Sequence, residues 1–127
     1  VSDKIESLQG ARVFLVEDEA LVAMLIEDML ADHGCEIAAT AARLGEALTI
    51  AENQAVAFDV AILDLNLAGE ATFPVAAALK ARGAPFVFAT GYGAGGLPAE
   101  WRDRPTLQKP FTPADVADVL SRLLQAV

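Results

Sequence analysis

Apolar residues come in short unbroken runs. Residues 11–17 contain Val13-Phe14-Leu15-Val16, residues 58–64 contain Val60-Ala61-Ile62-Leu63, and residues 85–89 read Pro85-Phe86-Val87-Phe88-Ala89. Such runs are what a strand covered on both faces requires. Residues 35–39 and a short stretch centred on Leu107-Gln108 complete five expected strands. Between them the pattern changes to helical spacing. Leu21, Met24, Leu25, Ile26, Met29 and Leu30 form a wide stripe on the first expected helix, with Asp18 as its cap and Gly34 as its stop. The second helix is expected over 42–53, with Leu44, Ala47, Leu48 and Ala51 on one side. The third spans 73–82, with Pro74 in its first turn and Gly83 after it. Thr112-Pro113-Ala114-Asp115 opens the last helix, whose apolar face is Val116, Val119, Leu120, Leu123 and Leu124.

Strand and helix thus alternate, which predicts an α/β fold with a doubly wound parallel sheet and helices on both faces. One link breaks the rhythm. Residues 91–98 carry four glycines and a proline, a poor helix, so the fourth helix is expected to be short, displaced or absent. Residues 1–10 read as a lead-in ending at Gly10, and residues 11–127 as one domain without internal repeats.

Composition narrows the function. Nine basic against eighteen acidic residues leave a net charge of −9, which argues against direct nucleic-acid binding and suits cations. Cys35 is the only cysteine, so no internal disulfide can form; a reducing cytoplasm is expected, with Cys35 as a small buried hydrophobe. Neither a signal peptide nor a membrane-spanning run is visible.

The candidate chemistry lies where the strands end. Glu17 and Asp18 follow the first strand, Asp64 closes the third, Thr90-Gly91 follows the fourth, and Lys109 follows the fifth. Ligands of open α/β sheets bind outside these carboxyl ends. Clustered carboxylates call for a hard cation such as Mg²⁺, held by Glu17, Asp18, Asp64 and the backbone carbonyl of Asn66. Asp64 is the candidate nucleophile toward a phosphoryl group. Lys109, the Thr90 hydroxyl and the Gly91 amide suit the phosphoryl oxygens. An acid at a strand end is by itself an ordinary loop or cap residue; the joint arrangement is the signal. Other polar residues invite plainer readings: His33 at a helix end, Asp59 at the start of a strand, Trp101 as a packing anchor. Glu27, Asp28 and Asp32 read as a solvated face that could also serve a docking helix.

Val16-Glu17-Asp18-Glu19, Ile62-Leu63-Asp64-Leu65-Asn66-Leu67, Ala89-Thr90-Gly91 and Lys109-Pro110-Phe111 together resemble a response-regulator receiver domain over residues 11–127. The resemblance implies a flavodoxin-like sheet of order 2-1-3-4-5 and a phospho-accepting Asp64. It implies metal acids Glu17 and Asp18, a switch pair Thr90 and Lys109, and a cis peptide before Pro110. Residues 85–92 resemble the subgroup with a Phe-Ala-Thr-Gly-Tyr motif, which implies a sensor histidine kinase of the HWE or related type, or a histidine phosphotransfer protein, as phosphoryl donor. A downstream protein of unknown identity would read the state, with neither nucleic acid nor membrane as direct partner. Two departures stand out. Thr106 occupies the position, three before the lysine, where receivers carry an aromatic switch residue, so either Tyr92 takes that role or the relay is missing. The glycine-rich link puts the usual output surface in doubt and makes residues 91–104 the expected switch segment. The chain is expected to act as a stand-alone switch or phosphate sink in the cytoplasm, not as an enzyme. The alternatives are a Mg²⁺-dependent phosphohydrolase with an aspartyl intermediate and a flavodoxin-like cofactor binder. Asn66, two residues past the nucleophile, cannot act as the hydrolase's general acid. Glu17-Asp18-Glu19 would repel the binder's phosphate.

Overall fold

The computed structural model describes residues 8–91 and 97–125. The unbroken apolar runs are strands β1 (Arg12–Val16), β3 (Val60–Asp64) and β6 (Phe86–Thr90). With β2 (Glu36–Ala41) and β7 (Thr106–Gln108) they form a five-stranded sheet ordered β2-β1-β3-β6-β7, every neighbouring pair parallel. A small antiparallel hairpin of β4 (Asn66–Leu67) and β5 (Glu70–Ala71) follows β3 outside the sheet. With the hairpin set aside, the order is the expected 2-1-3-4-5 of a flavodoxin-like fold.

Helices α1 (Ala20–Asp32), α2 (Leu44–Glu52), α3 (Phe73–Ala81) and α4 (Pro113–Gln125) cover the sheet. Successive strand residues point to opposite faces, so each apolar run feeds two cores. Val13, Leu15, Val60, Ile62 and Val87 pack with Ile26 and Leu30 of α1 and Val116 and Leu120 of α4. Phe14, Val16, Ala61, Leu63, Phe86 and Phe88 pack with Ala47 and Ala51 of α2 and Val75 and Leu79 of α3.

Several local expectations change. The stripe on α1 is only partly core: Ile26 and Leu30 are buried, but Leu21, Met24 and Leu25 are 77%, 58% and 59% exposed. The stripe is too wide for the single sheet surface that receives it. Asp18 does not cap α1, because its carboxylate is engaged elsewhere; Glu19 takes the cap position without a side-chain bond. In place of a fourth helix the link carries one 3₁₀ turn, Ala99–Trp101. Trp101 is buried there as a packing anchor, its ring 5.9 Å from Phe86 and 6.0 Å from Phe88. Tyr92 lies outside the described residues, as does the part of the expected switch segment from 92 to 96.

Other readings stand. Thr112 and Asp115 cap α4 reciprocally: the Asp115 amide donates to Thr112 Oγ1 (3.1 Å) and the Thr112 amide to Asp115 Oδ2 (2.8 Å). His33 ends α1 and lies with Nε2 2.8 Å from the Pro113 carbonyl, joining the end of α1 to the start of α4. Gly34 then turns the chain at φ +81°, a conformation that favours glycine. Cys35 is buried, and burial pushes its thiol pKa up.

Candidate functional site

Parallel strands send all their carboxyl ends to one edge of the sheet. There β1 runs into Glu17-Asp18, β3 ends on Asp64, β6 ends on Thr90, and Lys109 follows β7. The Lys109 amide donates to the Thr90 carbonyl at 2.8 Å, tying the last two strand ends together. The Lys109–Pro110 peptide is cis. Carboxylate oxygens of Glu17, Asp18 and Asp64 lie within 4.8 Å of one another. The Lys109 ammonium sits 3.0 Å from Glu17 Oε1 and 3.3 Å from Asp64 Oδ2.

Three acids against one ammonium leave the cluster short of positive charge. Two like charges 4 Å apart repel by about 4 kcal/mol at an effective dielectric near 20. Burial, and then the Glu17 charge, push the Asp64 pKa up to about 6, with Lys109 pulling the other way. Burial by itself would lower the Lys109 pKa; its hydrogen bond to Glu17 and the Asp64 charge outweigh that and hold it above its ordinary value. A set of hard carboxylate oxygens with unbalanced charge fits a small divalent cation such as Mg²⁺.

The hairpin closes one side. Ala68 and Gly69 both have positive φ, +49° and +89°, the two-residue turn that matches strand twist. The Ala68 amide donates to Asp18 Oδ2 at 3.0 Å, and the Gly69 amide to Asn66 Oδ1 at 2.8 Å. Asp64, Leu65, Asn66, Phe73, Thr90 and Gly91 line a cleft of about 300 Å³ beside the acids. The structure therefore brings together Glu17, Asp18, Asp64, Asn66, Thr90, Gly91 and Lys109, all the expected site residues except Tyr92.

Two features had no readable signal in the sequence. The Ala68 amide reaches Asp18 across fifty positions. Beside the site, Val22, Leu25, Ile26, Met29, Pro110 and Phe111 line an apolar groove of about 360 Å³, continuous with the exposed face of α1.

Residues 13–121 match the response regulator receiver domain family. Among solved structures, SdrG from Sphingomonas melonis Fr1 is 45% identical, with a TM-score of 0.79, over 91% of this chain and 97% of that one. The BeF₃-activated conformation of SdrG from Pseudomonas melonis Fr1 is also 45% identical, with a TM-score of 0.75, over 89% of this chain and 95% of that one. The response regulator PhyR from Brucella abortus is 31% identical, with a TM-score of 0.76, over 97% of this chain but 51% of PhyR. No curated protein sequence matches the chain.

Proposed function

The chain belongs to the response regulator receiver domain family, and on that premise we propose that it accepts a phosphoryl group on Asp64 and changes its affinity for a partner protein. One carboxylate oxygen of Asp64 attacks the phosphorus of a phosphohistidine. The O–P bond forms, the N–P bond breaks, and the donor imidazole nitrogen keeps the electron pair. Glu17, Asp18, Asp64 and the Asn66 carbonyl would hold Mg²⁺, which supplies neutralisation of the charge on the transferring oxygens. Lys109 serves as a mobile point charge, ready at 3.3 Å from Asp64 to pair with a phosphoryl oxygen. The Thr90 hydroxyl and the Gly91 amide, on the same cleft, suit the remaining oxygens, and Thr90 is the first element of the switch.

The observation that carries this reading is the acidic cluster with Lys109 inserted into it. That a relative has a BeF₃-activated conformation supports it. We take the protein to be a switch or phosphate sink and not a phosphohydrolase, because Asn66 stands where the hydrolase needs its general acid. The donor is proposed to be a cytoplasmic sensor histidine kinase of the HWE or related type, or a histidine phosphotransfer protein. The exposed Leu21, Met24 and Leu25 beside the site favour a protein donor, since contiguous apolar patches on a small protein mark contact surfaces.

Incubation with acetyl phosphate and Mg²⁺, read by intact mass, tests the assignment. One added phosphoryl mass is expected in the wild type. None is expected in Asp64→Asn or in excess chelator. Labelling that persists in Asp64→Asn would move the acceptor elsewhere.

A further inference from the structure

Five polar or charged side chains are buried among the described residues: Glu17, Asp64, Thr72, Thr90 and Ser121. Three of them, Glu17, Asp64 and Thr90, belong to the site, and Ser121 bonds within α4 to the Asp118 carbonyl. Thr72 is left over, with no exposed surface at all. It stands immediately before α3, where a threonine hydroxyl ordinarily caps the helix and contributes about 1 kcal/mol. The helix has no side-chain cap. The hydroxyl turns back instead, 2.7 Å from the Asp64 carbonyl oxygen and 3.2 Å from that of Leu65. The Thr72 amide also donates to the Leu65 carbonyl at 3.1 Å, and its own carbonyl receives the Val75 and Ala76 amides that open α3.

We propose that Thr72 is a positioning residue that sets the Asp64 carboxylate and the Asn66 carbonyl through the two peptide groups between them. The proposal rests on the acceptor reading of Asp64. A buried hydroxyl has one proton and two acceptors here, so it lies in the fork between the two carbonyls. Holding both oxygens restrains the peptide planes on either side of Leu65. That restraint governs how the Asp64 side chain leaves β3 and how the Asn66 carbonyl approaches the acids. The other end of the loop is held independently, by Gly69 to Asn66 Oδ1 and Ala68 to Asp18 Oδ2. Thr72 supplies the anchor at the base, joined to the rigid start of α3. A group that fixes a ligand from outside the ligand shell is costly to lose, because the ligands then reorganise each time the site fills.

The test compares wild type, Thr72→Val and Thr72→Ser by Mg²⁺ calorimetry and by acetyl-phosphate labelling at saturating Mg²⁺. Thr72→Val keeps the shape and removes the hydroxyl. It is expected to weaken Mg²⁺ binding and slow labelling by about tenfold each, while Thr72→Ser stays within about threefold of wild type. A Thr72→Val protein with a lower melting temperature but wild-type Mg²⁺ affinity and labelling would overturn the proposal and leave Thr72 a packing residue. Should Thr72→Val not fold, Thr72→Ser decides: retained Mg²⁺ affinity supports the hydroxyl's role, and a folded Thr72→Ser with tenfold weaker binding overturns it. A wild type that binds Mg²⁺ but takes no phosphoryl group would sink the acceptor reading, and the Mg²⁺ comparison would still judge Thr72.

Discussion

At neutral pH Asp64 carries its charge where burial and the Glu17 carboxylate both oppose it. Its pKa is about 6 in the folded chain against an ordinary 3.8. The folded state therefore binds this proton more tightly than the unfolded chain does. Its contribution to stability is complete below about pH 3.8 and is lost as pH rises through about 6. In chelator at pH 7.5, Asp64→Asn is expected to be more stable than wild type. The gain is about 1 kcal/mol once solvent screening is allowed for. The gap should close as pH falls toward 5. Urea unfolding at several pH values reads it, and a gap that stays constant with pH would remove Asp64 ionisation as its cause. The sequence carries part of this at the residue scale. Adjacent acids at a strand end are visible in it, but the 3.3 Å between Asp64 and Lys109, forty-five positions later, is not.

At the scale of elements, α1 does two jobs. Ile26 and Leu30 hold it to the sheet, while Leu21, Met24 and Leu25 face solvent. Changing those three to serine is expected to alter stability by no more than about 0.5 kcal/mol each, the usual range for exposed sites. Labelling by acetyl phosphate should be unaffected, and transfer from the cognate kinase should fall at least tenfold. Equal loss with both donors would show that the change damages the site and not the docking surface. Arg82, at the end of α3, works on the opposite edge. Its guanidinium donates to the carbonyls of Ala51 (3.2 Å), Asn53 (3.2 Å) and Val56 (2.7 Å) and lies 4.3 Å from the Phe58 ring centre. It serves as a C-terminal cap for α2, supplied from another helix. Arg82→Met keeps the stem and removes these bonds; a loss of about 2–3 kcal/mol is expected in urea unfolding. A loss below about 0.5 kcal/mol would mean that water replaces the guanidinium.

Over the whole molecule, a net charge of −9 and an acidic edge make cation binding and folding one linked equilibrium. The folded chain gathers Glu17, Asp18 and Asp64; an unfolded chain cannot hold residues so far apart in sequence together. Mg²⁺ at ten times its dissociation constant is therefore expected to stabilise the protein by about 1.4 kcal/mol. Thermal melts with Mg²⁺ and with an equal concentration of NaCl read this. Asp18→Asn should lose most of the increment, and an equal rise in both salts would reduce the effect to screening of the net charge.

Strand runs, helical spacing and the glycine-rich break determined the doubly wound layers, because each strand must bury both faces and glycines cannot hold a fourth helix. The order of acids, threonine and lysine along the chain was enough to place them on one edge, since parallel strands share one polarity. Tertiary structure alone decided which parts of the α1 stripe are covered, because a helix touches a flat sheet along one side only. It alone turned Asp18 from a helix cap into a partner of Ala68, and the Thr72 hydroxyl from a helix cap into the anchor of the acceptor loop. A polar side chain beside a helix start has local and distant partners to choose from. Spacing describes the local ones, and only the folded backbone supplies the distant ones.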